Sequence, residues 1–210
     1  KAYQGISEIG EDQNTEVENK DNSQFIDMSL AKDIEAYFQE NGIDHEKVAY
    51  CITDLEHNIK YSMNEKDEFI AASIYKLPLA ILYYDKVNEG EYTLDSTFTY
   101  SGYMHEDAGV ISSDYGIGSQ VPLSDLLNDL IIYSDNDAGH ILYENLGGWK
   151  EYKEAMTKYT DSISENYYTM DNVTTANTMN DVVTYLYDHK EDYKGLIKNM
   201  EEAEPGEYLD

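Results

Sequence analysis

The spacing of apolar residues along this chain changes several times, and each change predicts a new element. Leu30, Ile34 and Phe38 recur at helical intervals, and Asn41-Gly42 supplies the stop signal. From Lys47 to Leu55 the pattern alternates as a half-buried strand does. Glu56-His57-Asn58 reads as a turn, and Ile59–Met63 returns as a second strand. This hairpin leads through residues 64–72 to Ser73. Beyond it Leu77, Leu79, Ala80, Ile81, Leu82 and Tyr83 are apolar nearly all round, which predicts a buried central helix ending at Asn88-Glu89-Gly90. Pro78 sits near its start, where a missing N–H costs least. Residues 96–121 are rich in Ser, Gly and Tyr and predict short turns with little helix. Leu123–Ile132, after Pro122, is an amphipathic helix, and Asp137–Leu146 is another, closed by Gly147-Gly148. Two more helices are expected at 149–158 and 178–189, with a loop at 160–176. Residues 1–24 are polar and acidic without periodicity, the signature of a flexible leader or tether, so regular structure is expected from near Phe25. The division is therefore a leader over 1–24 and one domain over 25–210. In that domain 25–72 provides a helix and hairpin, and 73–210 is mainly helical.

Composition narrows the class of partner. With 14 Lys+Arg against 43 Asp+Glu the net charge is −29, and every one of the 14 is a lysine. Nucleic acid is not an expected partner, because phosphate contacts need a basic stripe. Anionic membrane surfaces are disfavoured for the same reason, and the acidity reads as a solvating surface. No apolar run approaches the ~20 residues that span a bilayer. Cys51 is the sole cysteine, lies in an alternating run and reads as a small core residue, so no intrachain disulfide is possible. The five histidines form no metal-ligand spacing. His105-Glu106-Asp107 reads as a polar surface loop, and no metal or cofactor is expected.

The chemistry sits in two short motifs. Ser73 and Lys76 stand three residues apart in Ala-Ala-Ser-Ile-Tyr-Lys, and 61 residues after Ser73 comes Ser134-Asp135-Asn136. Serine is a weak nucleophile until a base takes its proton, and a lysine with a lowered pKa is such a base. Side chains three apart on a helix share a face, with Cβ atoms about 5–6 Å apart. Taken singly, each motif has a plainer reading: Ser73 as a helix cap, Lys76 as a solvated first-turn residue, Ser134-Asp135-Asn136 as a turn rich in capping residues.

Together, in this order, they resemble the penicillin-recognising serine enzymes, most closely the class A β-lactamases and their relatives, whose motif set is S-x-x-K, S-D-N and K-T-G. Val48–Met63 looks like that family's opening hairpin and Leu94–Tyr100 like the segment after the nucleophile's helix. Gly116–Ser134, Leu146-Gly147-Gly148 and Val173–Ala176 also follow its pattern, so that the likeness covers about residues 26–205. The resemblance implies a mixed α/β (α+β) fold of the β-lactamase/transpeptidase type, a helical region on an antiparallel sheet. It implies Ser73 as acylated nucleophile, Lys76 as its base or part of its proton relay, and Ser134 as proton donor to the leaving nitrogen. Asn136 would bind the substrate amide and help hold Lys76, and Asp135 would brace its own loop. The implied substrate is a β-lactam or a cell-wall peptide, met by an exported monomer, the acidic leader suiting a membrane tether.

Two departures temper this. No lysine is followed by Thr-Gly or Ser-Gly, so the K-T-G strand that completes the oxyanion hole is not in the sequence. The expectation is that the C-terminal strands lie beyond Asp210. The water-activating glutamate of class A enzymes stands in E-x-x-L-N, whereas Asp161–Asn172 offers only Glu165, without the Leu-Asn. The expected activity is β-lactam hydrolysis through an acyl-enzyme on Ser73. The alternatives are a penicillin-binding DD-peptidase with poor deacylation and a non-catalytic binder or sensor that keeps the fold.

Overall fold

The computed structural model describes residues 29–56, 59–106, 109–169 and 171–203. The acidic leader, the expected onset near Phe25 and His57-Asn58 of the expected turn lie outside the described residues. Helix α1 (Ser29–Glu40) ends where Gly42 takes a φ of 62°, a left-handed conformation that glycine adopts at no steric cost. Strands β1 (Tyr50–Asp54) and β2 (Ile59–Met63) pair antiparallel, with Tyr50 opposite Met63 and Asp54 opposite Ile59. The first strand starts later than Lys47 because Asp44 caps a 3-10 turn over His45–Lys47. Cys51 in β1 is only half-buried, not a core residue.

A two-residue strand, β3 (Phe69–Ile70), precedes a 3-10 turn over Ala72–Tyr75, and this turn runs straight into helix α2 (Lys76–Asn88). Ser73 therefore lies in the 3-10 turn, and Lys76 is the first α-helical residue. In a 3-10 turn residues i and i+3 eclipse, so the spacing of these two brings their side chains together. Pro78 falls at the third position of α2, close to the helix start where a missing N–H costs least. Leu79, Ala80, Ile81 and Tyr83 are fully buried, as the all-round apolar pattern predicts.

The polar stretch after α2 holds more structure than its composition suggests. Strands β4 (Thr97–Thr99) and β5 (Gln120–Pro122) pair across it, and the short helix α3 (Val110–Asp114) lies between them. Helices α4 (Leu123–Ile132), α5 (Asn136–Asn145) and α6 (Trp149–Met156) follow. In the expected loop, β6 (Val173–Thr174) pairs antiparallel with β3 before α7 (Ala176–Asp188) and α8 (Lys194–Glu202). Strands of two residues are too short to show a period.

Helix α2 is the axis of the domain, in contact with α4, α5, α6 and α8. Its Tyr83 hydroxyl donates to the Leu142 carbonyl at 2.6 Å, tying it to α5. The architecture is mixed α/β (α+β), with three separate two-stranded antiparallel pairs rather than one sheet among the described residues. An isolated two-stranded ribbon is marginal in water. Here β1–β2 is supported by α7, where Asn180 Oδ1 accepts from Thr53 Oγ1 at 2.9 Å, and by the Phe38 ring set edge-on to Tyr50. No helix among the described residues is long and apolar enough to cross a membrane.

One close approach couples α5 to the turn that carries Ser73. A Cβ at Gly139 would lie 2.4 Å from the Tyr75 hydroxyl, whose ring stands edge-on to Trp149 at 5.2 Å and to Tyr152 at 6.1 Å. Gly139→Ala would gain about 1 kcal/mol of helix propensity, but overpacking a fixed ring costs about 1–3 kcal/mol. The variant is expected to unfold at lower urea than the parent; an unchanged or higher midpoint would show that the ring yields freely.

Candidate active site

Lys76 is 2% exposed, and its ammonium nitrogen is the hub of the site. It lies 3.2 Å from Ser73 Oγ, 3.0 Å from Ser134 Oγ and 2.6 Å from Asn136 Oδ1, and it also bonds the Ser134 carbonyl. A tetrahedral nitrogen attached to carbon has three remaining positions. Two carbonyl oxygens, of Ser134 and Asn136, can only accept, so each takes an N–H. The third position is left to the two hydroxyls. It is an N–H when the lysine is charged and a lone pair when it is neutral. In the neutral form the nitrogen can receive a proton from Ser73 or from Ser134. Burial pushes the Lys76 pKa down to about 8, against the opposing pull of the Asp135 and Glu106 carboxylates.

The corner between α4 and α5 delivers Ser134 and Asn136 to this nitrogen. Ser134 adopts a φ of 53°, in the left-handed region that a non-glycine residue enters at a cost. Asp135 holds the corner in place. It is the N-cap of α5, accepting from Ala138 N–H at 2.9 Å, and its other oxygen accepts from Ile111 N–H at 3.1 Å in α3. Its own N–H donates to the Asp129 carbonyl at 3.0 Å. The carboxylate lies flat on Gly109, where a Cβ would come within 2.2 Å of it.

Glu106, which the sequence offers only as part of a polar surface loop, joins the group. Its carboxylate accepts from Asn136 Nδ2 at 2.8 Å, so both ends of that amide are engaged, one by Lys76 and one by Glu106. The segment bearing Glu106 is braced by buried Asp137, which accepts from Glu106 N–H at 3.1 Å and from the Tyr100 hydroxyl at 2.7 Å. His105 Nδ1 lies 3.2 Å from the same carboxylate, a structural tie for the cluster that had suggested only a polar loop. Among the described residues no group of three or more His, Cys, Asp or Glu is arranged around a metal position. A recess of about 190 Å³, lined by Glu106, Val110, Tyr133, Ser134 and Asn136 among others, opens beside the cluster. Tyr103 is half exposed and stands edge-on to Tyr143 and His140.

The structure does not bring Glu165 into this group. It lies exposed in a turn, and among the described residues its carboxylate makes no hydrogen bond or ion pair. The neighbouring Asn166 is held instead by Glu68, through its N–H at 2.9 Å and its side-chain amide at 2.7 Å. The loop residue that does reach the nucleophile's turn is Asn172. Its Nδ2 donates to the Ala72 carbonyl and its carbonyl accepts from Ala71 N–H, both at 2.8 Å. The sequence signal for it was the asparagine itself, which stands without the preceding leucine.

A family model described as "Beta-lactamase enzyme family" matches residues 29–204. Among solved structures, a β-lactamase from Chitinophaga pinensis is 21% identical, with 84% of this chain and 71% of that chain covered and a TM-score of 0.67. A PBP-A mutant solved as its acyl-enzyme complex with penicillin G is 17% identical, with 84% and 70% covered and a TM-score of 0.68. Penicillin binding protein 5 from Haemophilus influenzae is 20% identical over 70% of this chain, with a TM-score of 0.57. This chain spans less than half of that protein's length, 47%.

Proposed function

Because this chain belongs to the β-lactamase enzyme family, we propose that it is an acyl-serine enzyme whose Ser73 opens a β-lactam or the terminal amide of a cell-wall peptide. The single observation that carries this reading is the Lys76 nitrogen placed between the Ser73 and Ser134 hydroxyls, at 3.2 and 3.0 Å. Neutral Lys76 takes the Ser73 proton as Oγ bonds to the substrate carbonyl carbon, and an oxyanion forms. As that intermediate collapses, the C–N bond breaks. Ser134 gives its proton to the departing nitrogen and recovers one from the Lys76 ammonium, which returns to neutral. Asn136 is placed to offer its amide to the substrate once the Glu106 contact is exchanged. Hydrolysis then needs a water to add at the ester carbon, with its proton passing to Ser73 Oγ as the C–O bond breaks.

The loop favours slow release over rapid turnover. Its polar group at the nucleophile's turn is the Asn172 amide, which is no base, while the Glu165 carboxylate is exposed and bonds no other side chain among the described residues. This supports a penicillin-binding behaviour in which the acyl-enzyme accumulates. Substrates of this class are met outside the cytoplasm, which supports an exported location. Mass spectrometry of the whole protein during incubation with benzylpenicillin tests the reading. One adduct per chain that decays over hours is expected. Rapid turnover of a chromogenic cephalosporin without an adduct would restore the efficient hydrolase. Neither adduct nor turnover from folded protein would leave a non-catalytic binder.

A further inference from the structure

Lys153 is a buried cation with no place in the chemistry above. It lies on α6, is 2% exposed, and is sandwiched between the Trp149 and Tyr167 rings, 5.4 and 5.2 Å from their centroids. An ammonium has three N–H donors. All three are used, on the backbone carbonyls of Tyr167, Thr169 and Asp171 at 2.6, 2.8 and 2.5 Å. A neutral amine has only two donors, so the arrangement requires the charged form even though burial lowers the pKa. Three alternate carbonyls of one loop thus converge on a single buried charge, where each hydrogen bond is stronger than a neutral one.

The next residue after this clamp is Asn172, and its side chain holds the Ala72 carbonyl. That carbonyl and the Ser73 N–H belong to one peptide group, which is planar and trans, so fixing the direction of one fixes the other. The peptide needs such a hold, because Ala72 adopts a φ of 46° without being glycine. The Ser73 N–H is the donor that this chain offers to an oxyanion forming at Ser73, and such donors act through their preset orientation.

We propose that Lys153 is a positioning residue for acyl transfer, clamping the backbone at Tyr167, Thr169 and Asp171 so that Asn172 orients the Ala72–Ser73 peptide and aims the Ser73 N–H at the oxyanion. The proposal rests on the acyl-serine reading of Ser73. It is distinct from the hydrogen bonds of Lys76, which position side chains and leave this peptide plane untouched.

The test compares Lys153→Met, Asn172→Ala and the double variant with the parent protein. Loss of an oxyanion donor costs roughly 10²–10³ in rate, and misaiming one costs less. Each single variant is expected to slow the first-order acylation step by about tenfold. The non-covalent binding constant for benzylpenicillin and the pH midpoint of acylation should not move. Because both act on one peptide, the double variant should be no slower than the slower single. Multiplying effects, or an unchanged acylation step in Asn172→Ala, would overturn the proposal. A second measurement does not depend on acylation, and so separates this proposal from the reading beneath it. Amide hydrogen exchange in Lys153→Met should lose protection at both 167–173 and 71–75; protection kept at 71–75 would also overturn it. Asn172 is only half-buried, so its alanine variant keeps the test in force should Lys153→Met fail to fold.

Discussion

Ser73→Ala is expected to take up no penicillin at all, while remaining as stable as the parent. The second half follows from exposure: Ser73 is open to solvent in its 3-10 turn, and truncating such a side chain shifts stability by about 0.5 kcal/mol or less. The first half is a sharper demand than it looks. Ser134 Oγ lies 3.0 Å from the same lysine nitrogen, so a second hydroxyl has access to the same base. It should stay unmodified because the proposed oxyanion donor belongs to the Ser73 peptide, and a nucleophile without a donor opposite it gains little. Peptide mapping after incubation with benzylpenicillin reads both sites. An adduct on Ser134 in the Ser73→Ala variant, or undiminished labelling, would sink the mechanism.

Lys76→Ala is expected to slow acylation by at least ~10²-fold, the usual scale for loss of a general base. It should also erase the pH dependence. With the Lys76 pKa near 8, acylation by the parent should rise about tenfold per pH unit below that value and level off above it, because only the neutral amine accepts the Ser73 proton. The sign for stability is the same. The folded value lies below the ordinary lysine value of 10.5, so between about pH 8 and 10.5 the unfolded chain holds more protons than the folded one. The contribution of this group to stability therefore rises with pH across that window. Lys76→Met should flatten the rise. A parent rate profile that is flat from pH 6 to 8 would show that Lys76 is not the base.

The sequence was most informative where contacts are local. The ranges 59–63 and 123–132 appear as read, because each carries a clean period bounded by Pro, Gly or polar residues. The Ser73–Lys76 contact was legible for the same reason, since three residues of chain set it. Its tie to Ser134 and Asn136 crosses about sixty residues, and only the resemblance to a family joined the two motifs. Lys153 was invisible. A lysine within Trp149–Met156 reads as a solvated position, and nothing local says that three carbonyls from a later loop will enclose it. The β3–β6 pair was hidden as well, because two residues a side carry no pattern. Glu165 is the converse case: a residue type suited to the chemistry stands in the loop without its Leu-Asn context, and the fold sets Asn172 against the nucleophile's turn.

The left-handed backbone at Ser134 has a consequence for how this chain could change over time. Glycine enters that conformation without strain, and a substitution of this kind relieves on the order of 1 kcal/mol. Ser134→Gly would thus remove the proposed proton donor and relax the corner in one step. On the mechanism proposed above, the need for that proton donor opposes the change. The backbone and the proposed chemistry therefore pull in opposite directions at position 134, where glycine suits the fold and serine the proton transfer.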